Sequence, residues 1–158
     1  MNKDLLVRIV LSIIICLIVG TIGSLATQSS IDNWYVSLMK PSWSPPNWVF
    51  APVWITLYIL MGIAAGIVWN RGFYHKWVKT ALYHFGFQLI LNGMWSIIFF
   101  GWQEPFLALL AICGLFILVI FTIKWFKVVD RWSAALLIPY LLWLAFATAL
   151  NFEIWRLN

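Results

Sequence analysis

The chain has 158 residues, of which 64% are hydrophobic and 9% charged, and its mean hydropathy is +0.94. That composition excludes a water-soluble globular domain. The formal net charge of +5 does not mark a nucleic-acid partner, because the basic residues flank apolar stretches instead of clustering on a water-exposed face.

A membrane helix takes roughly 20 mainly apolar residues to cross about 30 Å of hydrocarbon. Five stretches qualify, at residues 5–26, 47–70, 80–101, 105–125 and 132–156. The expectation is an all-α integral membrane protein, a single five-transmembrane-helix bundle over residues 1–158, with a Trp/Pro-rich first loop at 27–46. Lys/Arg placement orients such a bundle. Eight of the ten basic residues fall in the N-terminal segment or in and around the second and fourth connections (Lys3, Arg8, Arg71, Lys76, Lys79, Lys124, Lys127, Arg131). Lys40 and Arg156 fall on the other side. The N-terminus is therefore expected in the cytoplasm of a multi-pass cell-membrane protein, with the first loop and the C-terminus opposite. Lys3 and Arg8, the apolar run 9–19 and Ser24-Leu25-Ala26 also fit a cleavable signal peptide. The run continues past a usual signal core, so an uncleaved helix is the expectation.

Helix one carries Gly20, Gly23, Ser24 and Ala26 near its far end, where they suit close helix packing or leave room for a ligand. Residues 34–54 hold four tryptophans and four prolines. Proline stiffens such a segment, and tryptophan suits either a membrane-interface belt or a flat apolar ligand. Helix two is expected to begin near Pro45-Pro46, and its Gly62-x-x-x-Gly66 marks a close crossing, within the bundle or between subunits.

Helix three is the most informative. His84, Gln88, Asn92 and Ser96 recur every four residues as a polar stripe bordered by Trp95. Amides avoid hydrocarbon, so Gln88 and Asn92 are expected to face inward, as interhelical glue or as polar anchors in an apolar pocket. Helix four opens at Glu104-Pro105, as the helix dipole favours, with Phe106 on the loop side. Helix five is expected to be capped by Asp130 or Ser133 and loosened at Pro139. Beyond that point Trp143, Ala147, Leu150 and Asn151 share one face, either a packing stripe or a slot for a planar molecule. Cys16 and Cys113 are read as apolar packing residues, and no CxxC, HExxH, GxGxxG or P-loop pattern points to a metal or nucleotide enzyme.

Three groups of residues together resemble a known family: Trp34-Tyr35-x-x-Leu38-x-Lys40-Pro41-x-Trp43-x-Pro45-Pro46 with Pro52-x-Trp54 and Tyr58; Gln88-Leu89-x-Leu91-Asn92-x-x-Trp95; and Pro139-Tyr140-x-x-Trp143-x-x-Phe146-Ala147-x-x-Leu150-Asn151. The family is that of tryptophan-rich sensory proteins and translocator proteins, which includes the peripheral-type benzodiazepine receptor, and the chain looks most like a bacterial member. The resemblance implies a membrane protein, often a homodimer, that binds porphyrins and benzodiazepine-site ligands such as isoquinoline carboxamides. It also implies light- and oxygen-dependent degradation of protoporphyrin IX, with the alternative of a non-catalytic carrier, transporter or stress sensor. No permanent cofactor and no metal are implied; porphyrin enters as ligand or substrate.

Carried over by position, the ligand-binding residues are Ala51, Trp54, Asn92, Trp95, Phe106, Trp143, Ala147 and Leu150. Trp54 and Trp143 take a stacking or redox role as catalytic residues. Phe106 and Ser44 stand where animal members have a tryptophan and a histidine. The sterol-recognition pattern near the C-terminus lacks its tyrosine, with Phe152 between Leu150 and Arg156, so a sterol is not the expected ligand.

Overall fold

The computed structural model describes residues 3–158; Met1 and Asn2, the first two residues of the expected 1–158 domain, and the side chain of Ser29 lie outside the described part. Six α-helices follow in order: α1 Lys3–Ser30, α2 Phe50–Asn70, α3 Lys76–Ser96, α4 Pro105–Val129, α5 Arg131–Leu136 and α6 Ile138–Leu157. No strand occurs among the described residues. Four helical segments are long and apolar enough to cross a membrane: Lys3–Gln28, Asn47–Asn70, Pro105–Val129 and Arg131–Leu157. α3 has the length, 21 residues or about 31 Å at 1.5 Å per residue. Its polar stripe and its two N-terminal lysines keep it out of that set. The chain is thus an all-helical, multi-pass membrane protein.

One sequence-based boundary shifts clearly. The expected loop 27–46 is helical over its first part: α1 runs to Ser30 and continues through a π turn, Ile31–Tyr35. Polar residues that read as a loop instead bond across the bundle. Ser30 Oγ donates to the Phe100 carbonyl at 2.6 Å, and Thr27 Oγ1 lies 3.3 Å from Ser96 Oγ. α3 likewise ends in a π turn, Ile97–Gly101. α2 begins after a short 3₁₀ turn, Asn47–Val49, directly behind Pro46. The last crossing is divided at Leu137, two residues before Pro139, as proline demands when it removes a backbone donor and crowds the preceding turn.

The connections show why each helix stops where it does. Gly72 adopts φ +102 between α2 and α3, a conformation that lets the chain reverse within a few residues. Asp130 ends α4 and caps α5, its Oδ1 accepting from Trp132 N and Ser133 N at 3.0 Å. Its carboxylate also pairs with Arg71, which ties the two basic connections together.

α1 lies against α2, α3 against α4, and α4 against α6. The first pairing depends on glycine. A Cβ on Gly62 would stand 2.5 Å from Ile13 Cα, and one on Gly66 2.5 Å from Ile9 Cα. The Gly62/Gly66 pair therefore serves a crossing within the chain. The core is filled by Met61, Ile112, Leu115, Phe126, Leu137, Tyr140 and Leu144, all at most 1% exposed. Cys16 is buried with them, whereas Cys113 faces outward, so only one of the two cysteines is a core residue.

Candidate functional site

α1 and α2 cross closely at Gly62 and Gly66, toward the end that carries the basic connections; the first loop lies at the other end. There they enclose, with α3 and α6, a cavity of about 490 Å³, inside the usual range of roughly 300–1,000 Å³ for small-molecule sites. α2 contributes Ala51, Trp54 and Tyr58, which fall on one helical face. α3 and the π turn after it contribute Asn92, Trp95, Ser96, Phe99 and Phe100. α6 adds Trp143, Ala147, Leu150 and Asn151, and α1 adds Gly20, Gly23, Ser24 and Thr27.

Two aromatic groups form the walls. Trp54 packs on Tyr58, Trp95 and Tyr140 at centroid distances of 5.8, 6.1 and 6.3 Å. Trp143 packs on Phe50 and Phe146 at 6.0 and 5.2 Å, and Trp43 of the loop closes on Phe146 at 5.7 Å. Such offset and edge contacts hold the rings in defined orientations.

Beneath the walls runs a chain of buried hydrogen bonds. Tyr58 donates its hydroxyl to Asn92 Oδ1 at 2.9 Å, Asn92 Nδ2 donates to Tyr140 at 2.6 Å, and Tyr140 donates to Gln88 Oε1 at 3.0 Å. Alongside it, Trp95 Nε1 donates to Asn151 Oδ1 at 3.1 Å, and Asn151 Nδ2 donates to the Pro105 carbonyl at 2.9 Å. Asn92 is therefore both glue and cavity wall, while Gln88 is glue alone. Two buried donors have no partner among the described residues, Gln88 Nε2 and Trp143 Nε1. An unmade buried hydrogen bond costs about 1–3 kcal/mol.

The first loop is tied down over the site. Asn158 accepts from Met39 N at 3.0 Å and donates to Met39 O at 2.9 Å. Lys40 places its ammonium 4.6 Å over the Tyr35 ring and donates to the Leu38 carbonyl; partial burial lowers its pKa from the ordinary lysine value. The loop tryptophans divide their roles. Trp48 is 74% exposed, like Trp102 at 62%, as a membrane-interface belt requires, whereas Trp54 turns inward.

Of the residues expected at the site, Ala51, Trp54, Asn92, Trp95, Trp143, Ala147 and Leu150 come together around the cavity. Phe106 does not. It is 45% exposed and stacks on Trp155 at 5.3 Å. Two positions on, Ala108 is buried in one cluster with Leu150 and Ile154 of α6, while Phe106 stays outside the cavity lining. His84 lies away from it, bonded to the Thr80 carbonyl and near Trp125. Sequence reasoning missed Tyr35, Phe50, Phe99 and Phe100, and took Thr27 for loop. The period of α1 continued past residue 26 would have found Thr27 and Ile31; nothing in the sequence marks the π turns. The described lining holds no carboxylate, imidazole or thiol, and no metal-binding cluster occurs among the described residues. What these walls offer chemically is stacking on indoles and a few fixed hydrogen bonds.

The TspO/MBR family model matches residues 12–156. The chain is 42% identical over 158 residues to the Tryptophan-rich protein TspO of Chlorobaculum tepidum, covering 100% of this chain and 99% of the relative. It is 43% identical over 154 residues to the protein of the same name from Archaeoglobus fulgidus, covering 97% and 98%. It is 42% identical over 142 residues to the human Translocator protein, covering 87% and 82%. A family model matched over residues 12–156 and relatives matched along almost the whole length make this chain a member of the TspO/MBR family.

Proposed function

We propose that this protein is a five-span membrane bundle that holds a planar tetrapyrrole in the cavity beneath its first loop and promotes its light- and oxygen-dependent degradation. α3 serves as the fifth crossing, its amides turned inward. The Lys/Arg bias puts the N-terminus in the cytoplasm and the first loop and C-terminus across the cell membrane. The family resemblance supports a homodimer and competition by isoquinoline carboxamides for the same cavity.

One observation carries the reading: a mostly apolar cavity walled by two aromatic groups, one around Trp54 and Trp95 and one around Trp143 and Phe146. A flat π-system fits these stacking surfaces. Light supplies the energy and dioxygen the oxidant, so the hard chemistry belongs to the bound ligand. The protein holds the ring, excludes bulk water and sets indoles beside it.

The test uses purified protein in detergent with protoporphyrin IX, followed by absorption in light and darkness, with and without dioxygen. Loss of the porphyrin band should need light, dioxygen and the wild-type protein, and should fall several-fold in Trp54→Phe and Trp143→Phe chains that still bind. Saturable binding with no protein-specific loss would instead make the protein a carrier or sensor.

A further inference from the structure

The opposite end of the bundle contains a second cavity, about 340 Å³, between α1, α2 and α3. It arises from a splay. At the loop end α1 and α3 meet closely: a Cβ on Gly23 would stand 3.1 Å from Ser96 Cβ, and one on Gly93 3.0 Å from Val19 Cγ1. Two turns earlier on α3, a Cβ on Gly86 would find nothing within 4 Å. The gap is a wedge lined by Ser12, Ile15, Trp69, Phe73, Phe85 and Gly86 among others. Ile15 and Phe73 are exposed, so it is open along the side that faces lipid. The Ser12 hydroxyl is without a hydrogen-bond partner among the described residues.

Two cations sit on aromatic rings of that lining. Arg8 lies 5.7 Å over Trp69 and donates Nη1 to the Trp69 carbonyl at 2.9 Å. Lys79 lies 5.8 Å over Phe73. Neither is ion-paired among the described residues, where the carboxylate of Asp130 is taken by Arg71. An apolar wedge with two cations on its rim matches one chemistry: a diacyl lipid with a negative headgroup. We propose that this wedge binds one anionic phospholipid, an acyl chain lying along Gly86 and Phe85 and the phosphate between Arg8 and Lys79. The proposal is independent of what the loop-end cavity holds.

Native mass spectrometry of the full chain, with equal phosphatidylglycerol and phosphatidylcholine of identical acyl chains, tests it. The wild type should retain one phosphatidylglycerol in preference. The double variant Arg8→Gln/Lys79→Gln should lose that preference by about tenfold or more, as two cations near an anionic headgroup require. Gly86→Leu starts from a Cβ that meets nothing within 4 Å, puts a side chain into the wedge, and should weaken retention of both lipids while leaving porphyrin binding unchanged. Equal retention of both lipids by the wild type, or retention unaffected by Gly86→Leu, would overturn the proposal. So would disulfide cross-linking of Gly86→Cys chains in a Cys113→Ala background, because that would assign the wedge to a second copy.

Discussion

Gly66 and Gly86 are both helical glycines facing α1 or the space beside it, yet they should respond oppositely to a side chain. At Gly66 an added Cβ meets the Ile9 backbone at 2.5 Å. Backbone cannot rotate away, so α1 must lift off α2, and overpacking of this kind costs about 1–3 kcal/mol or more. At Gly86 the space is open, and alanine there gains the helix propensity glycine lacks, about 0.8–1 kcal/mol. Thermal unfolding in detergent should therefore show Gly66→Leu melting lower than wild type and Gly86→Ala at or above it. Tyr140→Phe probes another residue-scale feature. The hydroxyl is the midpoint between Asn92 and Gln88 and wholly buried. Its loss strands a donor on one side and an acceptor on the other. Interhelical bonds in membranes average only about 0.6 kcal/mol, but buried groups left unpaired cost about 1–3 kcal/mol. The melting temperature should drop measurably, and an unchanged value would mean that the two amides find each other or water.

At the scale of elements, the junction of α4 and α5 is a small electrostatic device. Burial by itself would raise the pKa of Asp130; the backbone N–H of Ser133, the Arg71 guanidinium and the Ser133 hydroxyl outweigh it and hold the carboxyl below its ordinary 3.8. A pKa depressed in the folded state means stability that is present above the unfolded value and lost as pH falls through the folded one. The wild type should therefore lose melting temperature below about pH 4, and Asp130→Asn, which keeps an N-cap but cannot ionise, should lose that part of the acid slope. This junction was legible in the sequence because a cap before a helix is a local signal. The ends of α1 and α3 were not. Thr27, Ser30 and Asn33 read as loop residues by type. Two of them are kept helical by partners some 70 positions away, Ser96 and Phe100, and a one-dimensional pattern carries no such partner.

Across the whole molecule, the same asymmetry governs what could be read and what the protein does. The cavity's α6 face and its Asn92/Trp95 edge were legible because helical period aligns Trp143, Ala147, Leu150 and Asn151, and because amides in apolar helices must turn inward. The exclusion of Phe106 was not, because it depends on which helix covers α4. Charge is distributed with equal asymmetry: eight of ten basic residues gather at one end, and the loop that covers the cavity carries Lys40 alone. If that bias sets the orientation, a single cysteine at Ser42, in a chain lacking Cys16 and Cys113, should react with an impermeant maleimide added outside intact cells. A cysteine at Tyr74, in the turn between α2 and α3, is 79% exposed in the native residue's place and should react only after the membrane is opened. The reverse pattern would put the cavity's loop on the cytoplasmic side, and its ligand would then have to arrive from within the cell. Labelling of both sites from outside would mean two orientations coexist, and the charge bias would have failed as the determinant.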